Sequence, residues 1–159
     1  MFLLFELKFK FSVIGLIIFL LPMLINIVYF MVAPKKESTV TSNGTSIIEV
    51  IEQGSRILFA IFICFFVSYK ELNFKNPFLY LSILFLALYY MVWIRYFIGG
   101  MNDSLLGKNF LFVPIPLAIF PVLYFIFASL WMNNYIAVGI MIIFGVSHFI
   151  ISYQNLYKK

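Results

Sequence analysis

The sequence predicts an all-α integral membrane protein, a five-helix up-and-down transmembrane bundle occupying 1–159 as a single domain. Three observations carry that expectation. Of the 159 residues, 64% are hydrophobic and only 11% are charged, against about 25% charged in an ordinary soluble domain. Five apolar stretches, 11–32, 47–69, 78–98, 110–132 and 135–153, each approach the roughly 20 residues a helix needs to cross hydrocarbon. The links between them are short, so consecutive spans alternate in direction, and the longest polar stretch, 34–46, leaves no room for a separate soluble domain.

The first span, 11–32, exceeds the 7–15 apolar residues of a signal-peptide core and precedes no small-x-small cleavage site, so it reads as a transmembrane helix. Pro22 lies inside it and removes one backbone donor, which predicts a kink. Gly15, Phe19, Pro22 and Asn26 fall at helical spacing on one face, the expected inward one. A Ser/Thr-rich loop over 33–45 follows.

Ser46 and Glu49 then match a capping box ahead of an apolar run. Glu52 and Arg56 stand at i and i+4 with the acid nearer the N-terminus, the favourable order for a helix ion pair. The rest of span two, 57–67, is apolar and contains Cys64, the single cysteine. One thiol makes neither an intramolecular disulfide nor a metal site, so Cys64 reads as a small core hydrophobe.

Asn76-Pro77 supplies a cap and a first-turn proline for span three. That span ends with Tyr89, Tyr90, Trp93, Arg95 and Tyr96, an interfacial aromatic belt, before Gly99-Gly100. Span four opens on Val113-Pro114-Ile115-Pro116. A residue before proline avoids the helical region, so the regular helix is expected to begin only at Pro116. Asn133-Asn134 marks a tight turn, and span five carries Gly145, His148, Ser152 and Asn155 as one polar stripe.

Alternation of direction places the strongly polar intramembrane residues in one leaflet. Asn26 is late in span one, Glu52 and Arg56 early in span two, Arg95 late in span three and His148 late in span five. Charge inside hydrocarbon costs several kcal/mol unless paired, so such residues mark a site or pair with each other. The expectation is a one-sided polar pocket formed by Asn26, Glu52, Arg56, Arg95 and His148. Two arginines favour a carboxylate or phosphate, hence a small anionic or amphipathic ligand or a lipid headgroup. One alternative is an accessory or assembly subunit whose polar stripe meets a membrane-protein partner. A second is an intramembrane enzyme with His148 as base and Glu52 orienting it.

Other chemistry finds no support. A single histidine makes no His-His or His-Glu-x-x-His metal site, and neither a G-x-S-x-G elbow nor a Gly-rich phosphate loop occurs, so no metal, cofactor or catalytic residue is assigned. The net charge of +5 falls on short flanks between spans, where it sets topology and meets lipid headgroups. No basic run of nucleic-acid type is present. Lys8, Lys10, Lys70 and Lys75 on one face nearly balance Lys35, Lys36, Lys108, Lys158 and Lys159 on the other. The uncharged Ser/Thr-rich part of the first loop suits translocation, which sets the N-terminus in the cytoplasm and the C-terminus outside.

Overall fold

Apolar runs of this length form helices because every backbone donor then finds an acceptor within its own segment. A computed structural model describes residues 7–33 and 46–157. Among them are five α-helices: α1 (Val13–Val32), α2 (Ile47–Phe65), α3 (Pro77–Ile98), α4 (Pro116–Trp131) and α5 (Tyr135–Tyr157). Two short strands, β1 (Leu7–Phe9) and β2 (Phe66–Ser68), pair antiparallel. Residues 34–45 of the loop read at 33–45 and the terminal Lys158 and Lys159 lie outside the described residues. Three helices, α1, α3 and α5, are long and apolar enough to cross a membrane. α4 is shorter, and α2 carries Glu49, Glu52 and Arg56 in its first ten residues.

Local chemistry fixes the boundaries. The Ser12 hydroxyl accepts the Gly15 N–H at 2.9 Å and starts α1. The Glu49 carboxylate accepts the Ser46 N–H at 3.1 Å, the acidic half of the capping box. Asn76 caps α3 through Phe78 N–H at 2.9 Å, with Pro77 in the first turn. α4 begins at Pro116, the start that the two prolines implied.

Span two departs from the sequence reading. A helix was expected to residue 69, but α2 ends at Phe65 and the chain extends as β2. Phe66 and Val67 suit an extended backbone, and β1 offers a partner far away in sequence. The last carbonyls of α2 are satisfied from outside the helix, as a buried helix end requires. Lys10 N–H donates to Phe65 at 2.9 Å and Ser12 N–H to Cys64 at 2.7 Å. The Asn134 side-chain amide donates to the carbonyls of Phe62 and Phe66 at 2.9 and 3.0 Å.

α4 lies at the centre, packed against α3 and α5, while α5 also packs on α2 and α2 on α1. One core cluster gathers Phe59, Ile63, Phe125 and Met141 from α2, α4 and α5; a second gathers Tyr89, Val92, Trp93, Tyr96 and Phe120 from α3 and α4. Contacts at both ends show α2 and α5 antiparallel: Asn134 meets Phe62, and His148 meets Glu52. α1 approaches α2 at Gly15, where an added Cβ would collide with the Ile63 carbonyl oxygen.

Pro22 sits inside α1 without an N–H to give the Ile18 carbonyl. The Tyr124 hydroxyl of α4 donates to that carbonyl at 2.9 Å. Outward faces are apolar: Ile17, Leu24, Ile57, Ile83, Ile94 and Ile143 are each more than half exposed. Apolar surface this extensive suits lipid rather than water.

Candidate functional site

Glu52 lies in the second turn of α2, on the face turned toward α5. It is 6% exposed, yet it keeps charged company. Its Oε1 is 3.0 Å from Nη2 of Arg56 and 2.7 Å from Nδ1 of His148. The Arg56 guanidinium donates to this oxygen, and the His148 Nδ1 contact is a hydrogen bond whose direction follows the imidazole tautomer. The pairing with Arg56 spans one helical turn; that with His148 joins α2 to α5. Arg56 and His148 both lie against Phe144, whose ring centroid is 5.4 Å from the guanidinium carbon and 5.1 Å from the imidazole. One carboxylate thus balances one guanidinium, the condition under which ionised groups persist away from water. The Arg56 side chain remains 46% exposed, so part of its donor fork is open.

Beside this cluster lies a cavity of about 590 Å³ lined by Glu49, Val50, Glu52, Gln53, Gly54 and Ile151. Nothing lies within 4 Å of a Cβ added at Gly54, so the cavity wall is open there. Its polar lining is acceptor-rich, with two carboxylates and an amide, and Arg56 stands one turn further along the same helix.

The five residues grouped by the sequence therefore fall in three places. Glu52, Arg56 and His148 meet. Asn26 does not join them: its Oδ1 accepts the Tyr89 hydroxyl at 2.8 Å and ties α1 to α3. Arg95 is also elsewhere. Its two terminal nitrogens donate to the carbonyls of Asn109 at 3.0 Å and of Leu105 and Lys108 at 2.8 Å each. The loop after α3 folds back over the last turn, and its carbonyls take up the guanidinium that the sequence reading had assigned to a ligand.

Neither serine beside the cluster is poised as a nucleophile. Ser55 Oγ donates to the carbonyls of Ile51 and Glu52, and Ser147 Oγ to those of Ile143 and Phe144, each within its own helix. Among the described residues no group of three or more His, Cys, Asp and Glu clusters as for a metal ion.

Sequence reasoning missed Asn134. It is fully buried, accepts Ala137 N–H at 3.0 Å to cap α5, and closes the end of α2 with its amide. Asn-Asn between two apolar runs signalled the turn, but nothing local signalled the acceptors on α2. No family model matches the chain, and none of the curated proteins or solved structures compared with it matches either. The functional reading therefore stands on the geometry around Glu52.

Proposed function

We propose that this chain is a multi-pass integral membrane protein, crossing the bilayer five times, that binds the headgroup of an amphipathic ligand at the Glu52–Arg56–His148 cluster. The observation that carries this reading is a buried carboxylate, held by a guanidinium and an imidazole, at the wall of an open cavity of about 590 Å³. Ionisable groups at such depth are costly and are retained at ligand or ion sites. With Arg95 engaged in a loop, a single arginine, Arg56, stands one turn along α2 from an acceptor-rich cavity whose lining includes its partner Glu52. That combination favours a headgroup carrying both an anionic group for Arg56 and a donor or cationic group for Glu49 and Gln53 over a simple anion. The orientation that goes with this reading has the N-terminus in the cytoplasm and the cluster in the outer leaflet.

The enzyme alternative has its base and orienting group 2.7 Å apart, but the hydroxyls next to them are engaged with backbone carbonyls, so no nucleophile stands beside that pair. Native mass spectrometry of the detergent-extracted protein tests the binding reading. Phospholipid adducts are expected on the wild-type chain, with their loss in Arg56→Ala and in Gly54→Trp, which fills the cavity. Equal adduct counts in all three would overturn it.

A further inference from the structure

The connection between α3 and α4 turns on apolar residues where turns usually place asparagine and glycine. Phe110 N–H donates to the Val113 carbonyl at 3.1 Å, and Val113 N–H to the Phe110 carbonyl at 2.9 Å. Between them Leu111 and Phe112 have φ of 48° and 65°, the signs of a type I′ hairpin turn. Bulky side chains adopt this backbone only under strain. Met101 and Ile115, in the same connection, also have positive φ. At the tip Phe112 is 100% exposed and Leu111 60%. Strain combined with apolar exposure has no compensation in water.

The base of the hairpin is fixed. Arg95 holds the carbonyls of Leu105, Lys108 and Asn109, and its guanidinium carbon lies 5.3 Å from the Phe110 ring centroid. Arg95 is three residues before the end of α3, so the clamp acts about 4.5 Å inside that end at about 1.5 Å per residue. α4 has only 16 residues, about 24 Å, against about 30 Å of hydrocarbon. At its C-terminal end Trp131 reaches the Asn73 carbonyl, outside the first turn of α3. The shortfall therefore lies at the N-terminal end, where the chain reads Phe110-Leu111-Phe112-Val113-Pro114-Ile115.

We infer that the Leu111–Phe112 hairpin is a membrane-inserted wedge whose partner is the phospholipid bilayer, and that Arg95 is its positioning residue. The two apolar side chains enter the acyl region just below the headgroups, and exposed Lys108 stays at headgroup level. Non-helical backbone at this depth is tolerated where protein satisfies its polar groups; here the hairpin bonds itself and Arg95 takes the carbonyls at its base. The wedge is independent of the Glu52 cluster and rests on α4 crossing the bilayer.

Nitroxide labels at Leu111→Cys, Phe112→Cys and Lys108→Cys, each in full-length Cys64→Ala protein in phosphatidylcholine vesicles, test this by their relative accessibility to oxygen and to a water-soluble nickel chelate. The oxygen-to-nickel ratio is expected to be several-fold higher at 111 and 112 than at 108. Equal ratios would overturn the wedge. Phe112→Trp with Cys64 retained gives a second readout: lipids brominated near the headgroup end of the chain should quench its added emission, and quenching by aqueous iodide alone would contradict insertion. Adding Arg95→Gln should bring the ratio at 112 toward that at 108 with helix content unchanged; an unaltered ratio would remove Arg95 from the positioning role.

Discussion

Glu52 and Asn134 are buried polar side chains on which neighbouring elements converge, and they differ in what their loss exposes. Removing the Asn134 side chain leaves the Phe62 and Phe66 carbonyls without its amide and α5 without its cap. Asn134→Ala is expected to destabilise by about 1–3 kcal/mol, combining a lost cap with the lost amide hydrogen bonds to Phe66 and to Phe62, whose carbonyl keeps the Phe66 N–H. Asn134→Asp keeps the cap acceptor but sets a buried carboxyl oxygen against the Phe62 and Phe66 carbonyls, so it should restore none of that stability; thermal unfolding in detergent measures both. Glu52→Gln keeps the shape but not the charge, leaving Arg56 and His148 without their shared carboxylate. Its expected cost is about 1.5–3 kcal/mol, the range for a hydrogen bond to a charged group, with the loss falling on the α2–α5 contact. The Glu52–Arg56 pair was legible because both residues sit on one helix at i, i+4. The destinations of Asn26 and Arg95 were not. Asn26 meets Tyr89 across two helices, and Arg95 is captured by carbonyls of a loop whose path no periodicity describes.

Element packing turns on backbone approach. Gly15 admits α2 to the surface of α1, and a methyl there would meet a backbone oxygen, which does not move aside. Gly15→Ala is expected to destabilise by about 1–3 kcal/mol, the range for overpacking. Gly54→Ala meets nothing within 4 Å and should be neutral or stabilising by up to about 1 kcal/mol through helix propensity. Chemical unfolding in mixed micelles ranks the two, and a larger loss at Gly54 would contradict the packing described. Pro22 and Tyr124 form a coupled pair, because the hydroxyl serves a carbonyl that the proline cannot. Tyr124→Phe is expected to cost about 1 kcal/mol in the native background. In Pro22→Ala, whose restored N–H serves Ile18, it should cost less, a non-additivity that a double-mutant cycle detects. Apolar runs and the capping residues Ser46 and Asn76 made the helices readable, as Pro114 and Pro116 did the start of α4. Strand β2 was not readable: an apolar run from Ile57 to Val67 carries no signal that its last residues pair with Leu7–Phe9.

At the scale of the whole molecule, three helices reach spanning length by composition and length, and the proposal adds α2 and α4 to them. Antiparallel contact of α2 with α5 brings His148 to Glu52, so the cluster depends on the direction of each crossing as much as on side-chain chemistry. α2 is the critical case, since Glu52 and Arg56 are tolerable in hydrocarbon only as a pair completed by α5. Five crossings put the two ends of the chain on opposite sides of the membrane and carry Glu52, Arg56 and His148 into one leaflet. Paired topology reporters, one fused before Met1 and one after Lys159, measure this directly. The expected result is a cytoplasmic N-terminal reporter with an external C-terminal one; both reporters on the same side would contradict five crossings and dissolve the single polar leaflet with them.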